Sequence, residues 1–338
     1  MSSIPVSPNG AAAAPAVAEP PAPVAAVWQD RPAEEPWCPA ELRAHLGDGL
    51  AWAADAAPDT NDARAVPLGA GWRALAAARR GRVHAHAGQH REDAFAVHSA
   101  GPLAIAVASD GAGSARWSRV GAEVTCRETV RVAAAALAAA PDRSPAALGA
   151  ALSAGVAAAC TALRELARRA GAPPRDFRCT ALAVALDAEA GTLAAVQVGD
   201  GVVALRAADG SVRLLGESDG GEYSGEVSCF VPDACADARA AAPVTAALDG
   251  VADVLVATDG VEDPFYPIPR TGPALFAQLD GGVAAPLDGF QRQSAHGPVL
   301  GGGVPGAEAA SRLLEWLAFE KRGENDDRTA VLLSRPRA

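Results

Sequence analysis

Short apolar runs set the pattern of the chain from Arg82 onward. RVHAHAG, DAFAVHS and LAIAVAS follow one another with polar or glycine-bearing turns between them, which predicts that a sheet begins at Arg82. Two long alanine-rich segments come next, residues 120–139 and 146–170. The second opens after Ser144 and Pro145, residue types that favour a helix N-terminus, so the pair predicts two antiparallel helices. Strand signals return in CTALAVALD, TLAAVQVGD and VVALR, with a turn at Gly199, Asp200 and Gly201, and continue through SVRLL, EVSCFV and DVLVATDG. Residues 279–306, rich in glycine and proline, predict a loop, 307–321 a helix, and RTAVLLS a last strand. Strands, a helix pair and then mostly strands is an α+β order rather than a βαβ alternation.

Residues 1–66 read differently. Alanine and proline dominate them, and such a composition favours extended, solvated chain, a tail or linker ahead of a domain at 67–338. Trp28 and Trp37 stand out among the small residues, either as anchors for a partner or as cover for an edge of the chain's own domain, and a short helix is predicted in PAELRAHLGDGLAWAAD. No internal repeat is visible. GGGVPG has the spacing of a dinucleotide loop but lacks a preceding strand and contains a proline, so it reads as a turn.

Composition narrows the function classes. With 338 residues, half of them hydrophobic, the chain can bury a full core, and at 4% aromatic content that core relies on Ala, Val and Leu. A formal net charge of −11 with no basic run argues against nucleic acid and anionic lipid as partners. The six cysteines form no CxxC pair, and several lie in apolar runs where a reduced thiol packs as a small hydrophobe, which fits a reducing cytoplasm. The N-terminus lacks the pattern of a signal peptide, and no run is expected to be long and apolar enough for a membrane span.

Acidic residues carry the chemical signal. Glu92 and Asp93 head one strand, Asp110 ends LAIAVASD, Asp259 ends DVLVATD, and Asp326 with Asp327 precedes the last strand. A carboxylate at the rim of a core is costly unless something positive compensates it. Converging carboxylates about 4 Å apart repel by about 4 kcal/mol per pair at an effective dielectric of about 20, so the set needs protons or divalent cations. Oxygen-only donors suit Mg²⁺ or Mn²⁺ better than Zn²⁺. The glycines in Asp110-Gly111 and Asp259-Gly260 allow close approach at each turn, although Asp-Gly alone is a common turn.

Taken in order, HREDAFAV, VASDGAGSARWSRVGAEV, VQVGDG, VATDGVED and NDDRTAVLL resemble the motifs of the type-2C metal-dependent protein serine/threonine phosphatases over residues 72–334. The unchanged phrase DGAGSA, the spacing of His84, His86, Gly88 and Asp93, and GGEYSGEVSCFVPD are similar to a bacterial branch of that family. The resemblance implies a four-layer αββα sandwich, two antiparallel sheets flanked by helices, with metals at one rim. It implies two Mn²⁺ or Mg²⁺ ions, with Asp110 bridging both, the Gly111 carbonyl on one, and Asp259 and Asp326 on the other. Glu92 and Asp93 would orient bound waters, Asp200 would serve a third, weaker ion, and a water between the metals would attack phosphorus in line.

Two positions depart from the pattern. Where well-studied relatives place a phosphate-gripping arginine this chain has Gly88, and where many eukaryotic members have a histidine after the Asp-Gly turn it has Ala112. His84 and His86 are the substrate-binding candidates, with His90 and Arg91 behind them. The family implies phosphoprotein dephosphorylation in signal transduction, with a Ser/Thr kinase or a von Willebrand-type domain protein as partner. A catalytically silent phosphoprotein binder and an adaptor acting through its N-terminal segment remain as alternatives.

Overall fold

The computed structural model describes residues 28–55, 61–216, 229–281, 289–292 and 297–335. Most of GGEYSGEVSCFVPD and much of the 279–306 segment lie outside the described residues. Among those described, six strands form one antiparallel sheet, with spatial order β1 (Asn61–Pro67), β2 (Arg73–Arg79), β13 (Arg328–Ser334), β10 (Val251–Ala257), β7 (Val202–Ala207) and β8 (Val212–Leu214). A second antiparallel sheet runs β3 (Ala94–Ala100), β4 (Leu103–Ser109), β5 (Ala181–Asp187), β6 (Thr192–Val198) and β9 (Val244–Ala247). A short ribbon pairs β11 (Phe290–Arg292) with β12 (Glu320–Lys321).

Side chains on a strand alternate between faces, and here both faces of each central strand are apolar because both are covered. Ala74, Ala76, Val254, Val256, Val331 and Leu333 meet Ala104, Ala106, Leu182 and Val184 between the sheets. The alternate residues Ile105, Val107, Ala183 and Ala185 pack under α3 (Ser118–Ala139) and α4 (Pro145–Ala170). On the opposite outer face Leu75, Leu255 and Leu332 pack under α7 (Ile268–Leu279) and α8 (Gly306–Trp316). The expected four-layer α+β sandwich of two antiparallel sheets is therefore what the chain forms. α4 begins as its sequence predicts, with the Ser144 hydroxyl accepting the Ala147 N–H at 3.2 Å and Pro145 in the first turn, and ends at Gly171 with φ 64°.

Several expectations need correction. The domain starts well before residue 67. Trp37, Cys38, Leu42, Leu50 and Ala53 belong to the core beneath α3 and α4, α1 (Ala40–Arg43) falls within this stretch, and β1 forms an edge of the first sheet. Residues 37–53 and 61–66 thus belong to the folded domain, because Trp37, Trp52 and a few leucines suffice to anchor an otherwise small-residue segment, while residues 28–36 run along it mostly exposed. RVHAHAG is not a strand but the short helix α2 (Arg82–Ala87), closed by Gly88 at φ 67°. α5 (Ala234–Ala240), α6 (Asp259–Glu262) and α7 were not foreseen, and in α7 the interior Pro273 hides the helical period.

Cys229 and Cys235 form a disulfide, whereas Cys38, Cys126, Cys160 and Cys179 are buried free thiols. Contrary to the expectation that no run is long and apolar enough, α4 has the length and composition of a membrane span. Leu148, Leu152, Val156 and Leu163 on it are fully buried against the protein's own core, the packing of an interior helix.

Candidate metal centre

Five acidic positions reach one rim because antiparallel neighbours place their ends together. Ala94, at the start of β3, pairs with Ser109, at the end of β4, which puts Glu92 and Asp93 beside Asp110. In the other sheet Ala257 pairs with Ala330 and with Val202, which brings Asp259, the Asp326-Asp327 doublet and the Asp200 turn to the same end. Electrostatics confirm the convergence. Burial pushes the Asp110 carboxyl well above its ordinary range, and the charges of Asp259, Asp93 and Asp326 push it further. Asp259 is raised in the same way by burial and then by Asp200, Asp93 and Asp326.

Asp93 is 4% exposed, and burial followed by the charge of Asp327 pushes its carboxyl up to about 7. The Thr258 hydroxyl donates to Asp93 Oδ2 at 2.9 Å, while Oδ1 is buried with no protein donor among the described residues. Asp326 stands at the solvent edge, and its carboxyl is raised by partial desolvation and by Asp327 next to it. Glu92 is raised by burial, against the opposing pull of His84.

Asp327 behaves in the opposite sense. It is 1% exposed, and its two oxygens accept the backbone N–H groups of Gly81 and Glu92, each at 2.6 Å. His84 Nδ1 lies 3.0 Å from Oδ2, and its Nε2 lies 3.8 Å from Glu92 Oε2. Burial alone would raise the Asp327 carboxyl, but His84 and the two N–H groups more than offset it and hold it below the ordinary value. Asp327 is therefore an internal anchor that ties α2 and the Glu92-Asp93 pair to the head of β13. In the sequence it stands beside Asp326, and the Asp-Asp doublet is its only signal.

The two Asp-Gly turns need glycine for packing. A Cβ on Gly260 would lie 1.9 Å from the Asp327 carbonyl oxygen, and one on Gly111 would lie 2.9 Å from the carbonyl oxygen of Glu92. The close approach expected at these glycines is made by the chain's own backbone, which locks the acidic segments together.

The histidines part company. His84 joins the centre, its ring nitrogen within 4.8 Å of oxygens of Asp326 and Asp327. His86 does not: it faces the N-terminal segment, with its ring 5.7 Å from that of Trp28 and Nδ1 accepting the Gln29 N–H at 3.4 Å. His90 contacts the Glu35 carbonyl oxygen at 2.7 Å, and Arg91 donates to the Asp93 carbonyl. The donor set fits hard divalent cations. Asp93, Asp110, Asp259 and Asp326 offer carboxylate oxygens whose mutual repulsion favours either protons or metal, and one buried oxygen lacks a donor.

No curated protein matches the chain. Among solved structures, a serine/threonine phosphatase from Staphylococcus aureus is 13% identical, with a TM-score of 0.54 over 81% of this chain and 98% of its own. A bacterial serine phosphatase is 12% identical, with a TM-score of 0.52 over 78% and 98%. The catalytic domain of a Mycobacterium tuberculosis phosphatase, PstP, determined with two manganese ions, is 19% identical at a TM-score of 0.48 over 78% and 97%. The first two support the sandwich fold. Residues 80–284, more than half of the chain and including four of the five acidic positions, match the family described as Protein phosphatase 2C, and the chain belongs to that family.

Proposed function

We propose that the chain hydrolyses phosphoserine and phosphothreonine in proteins with the help of two Mn²⁺ or Mg²⁺ ions. The observation that carries this reading is the convergence of Asp93, Asp110, Asp259 and Asp326, whose carboxyls all hold protons more tightly than usual. Asp110 would hold both ions, the Gly111 carbonyl one of them, Asp259 and Asp326 the other, and Asp200 a weaker third. When bound, such ions supply Lewis acidity for the phosphoryl oxygens and lower the pKa of water. The protein's part is orientation: Thr258 fixes one Asp93 oxygen, and Asp327 with His84 fixes the backbone on which Glu92 sits.

A second reading, binding of a phosphoprotein without turnover, is favoured by Gly88, which caps α2 where relatives carry an arginine. Hydrolysis of an aryl phosphate with Mn²⁺, with chelator, and by Asp110→Asn and Asp259→Asn separates the two. Mn²⁺-dependent turnover that both substitutions abolish is expected. Activity that persists in chelator overturns the metal mechanism, and no activity at saturating Mn²⁺ favours the binding-only reading.

A further inference from the structure

Beside Asp326 opens a cavity of about 570 Å³, lined among others by Arg79, Arg80, Arg82, Glu315, Phe319 and Arg328. It lies between the head of β13, α2 and the segment after α8. Its arginines differ in what they hold. Arg80 is committed to Asp30 at 2.5 Å and to the carbonyls of Gln89 and Arg31, and Arg82 pairs with Glu320. Arg328 donates to the carbonyls of Leu317, Phe319 and Glu324 and stacks 4.0 Å from the Phe319 ring, contacts that hold the guanidinium still without neutralising it. Among the described residues the Arg79 guanidinium has neither a hydrogen bond nor an ion pair.

Arg79 and Arg328 are direct partners in the β2–β13 register. Like charges directly opposite on neighbouring strands are destabilising, so two half-buried or buried guanidiniums in that arrangement call for an anion between or beside them. Asp326, the acidic group at the junction with the metal centre, would be neutralised by the cation it holds and would leave the cavity net positive. The chain itself shows what kind of guest suits the place. Residues 28–35 run beside α2, with Arg31 N–H on the Ala85 carbonyl and Glu34 N–H on the Gly88 carbonyl, and deliver the Asp30 carboxylate to Arg80 at the cavity's edge.

We propose that the Arg79–Arg328 cavity binds an anionic side chain of the substrate polypeptide, a carboxylate or a second phosphate, next to the phosphoresidue being hydrolysed. This rests on the phosphatase reading and makes the preferred substrate an acidic or multiply phosphorylated segment. Planar guanidiniums suit both anions, and a site of this kind overcomes the repulsion that a chain of net charge −11 would otherwise exert on such a peptide.

The test compares one phosphothreonine peptide with neutral, glutamate-rich and phosphoserine-bearing flanks, together with an aryl phosphate that has no flank, all in Mn²⁺. The expected result is an advantage in kcat/KM of about tenfold for the anionic flanks, the size of one charge-assisted contact. Arg79→Ala should erase that advantage and leave aryl phosphate turnover unchanged, with Arg79→Lys intermediate. The glutamate and phosphoserine arms tell which anion is preferred. Equal rates for all flanks, or a parallel loss on peptides and aryl phosphate in Arg79→Ala, would overturn the proposal. Fluorescence anisotropy of the same peptides on Asp110→Asn keeps the two readings apart. Flank-selective binding that depends on Arg79 without turnover in the parent defeats only hydrolysis, and turnover without flank selectivity defeats only the cavity.

Discussion

His84 Nδ1 stands 3.0 Å from Oδ2 of Asp327, a carboxylate that is 1% exposed and also holds the N–H groups of Gly81 and Glu92. Burial alone would lower the histidine pKa, but the contact and charge of Asp327, helped by Glu92, raise it to about 9. The folded value lies above the ordinary 6.5, so the stabilisation is complete below pH 6.5 and is lost as pH rises through about 9. Asp327 is depressed below 3.8, so its share is present above that value and is lost as pH falls through the lowered one.

Replacing His84 should therefore do more than remove a side chain. His84→Ala leaves a buried carboxylate with only its backbone donors, and a loss of about 3 kcal/mol is expected. Urea denaturation of parent and variant should show that difference near pH 6 and a shrinking one between pH 6.5 and 9. A constant difference across the range would show that packing, not charge, is what His84 contributes.

The four acidic groups of the rim should oppose folding when no cation is bound. Their folded pKa values lie above 3.8, so the unfolded chain gives up protons that the folded one retains. Stability should then fall as pH rises from about 4 through about 7, the value of Asp93. Mn²⁺ at a hundredfold excess over its Kd should restore about 2.7 kcal/mol, visible as a rise in Tm at pH 7.5 and a smaller one at pH 5.

Asp110→Asn provides the complement. It removes one charge from a crowded site, so the metal-free variant should be more stable than the parent at pH 7.5 by about 1 kcal/mol, while losing both the Mn²⁺-induced rise and aryl phosphate turnover. Differential scanning calorimetry with and without Mn²⁺ checks all three parts. A variant less stable than the parent in chelator would mean that the rim carboxylates hold the fold together.

Much of this arrangement is legible in the sequence. The strands LAIAVAS, DVLVAT and RTAVLLS are mostly apolar and buried at every position because they are covered on both faces, and each ends or begins at an aspartate. The helix pair was legible from length and from Ser144-Pro145. RVHAHAG was not, because alternation of histidine and alanine imitates a strand, while the short helix it forms buries none of its residues and is set by the Gly88 cap. β1 was hidden because NDARAVP is a partly exposed edge strand whose partner, β2, lies on one side only. The aspartates of the site could be placed in sequence, but the division between Asp326 at the solvent edge and Asp327 as a buried anchor depends on which backbone N–H groups meet them.

Gly260 tests that anchor from the other side. The Cβ of Gly260→Ala would fall 1.9 Å from the Asp327 carbonyl oxygen, a backbone atom that can yield only by moving β13 or α6. The expected outcome is a loss of 3 kcal/mol or roughly more, at the upper end of overpacking effects, together with weaker Mn²⁺ binding. Chemical denaturation and metal titration of the variant report both. Retention of parent stability would show that the turn at Asp259 has more freedom than its packing implies.

Acidic residues elsewhere in the same strands should behave as structure alone. Asp253, at the far end of β10 from Asp259, lies opposite Arg206 of β7 in the register. The Arg206 Nε donates to Asp253 Oδ2 at 2.7 Å, and a second nitrogen reaches Asp280 at 2.6 Å. The side chains of Arg206 and Asp253 are 4% and 1% exposed, so removing Asp253 leaves the guanidinium in a dry interior with only the half-exposed Asp280 to offset its charge. Asp253→Ala should lower stability by about 3–5 kcal/mol, whereas replacing both partners by apolar residues of similar volume should recover most of it. Because this pair is remote from the rim, the folded fraction of Asp253→Ala at low temperature should keep the parent's kcat and its Mn²⁺ dependence. A fall in kcat per folded molecule would mean that β10 transmits strain along its length to the Asp259 turn.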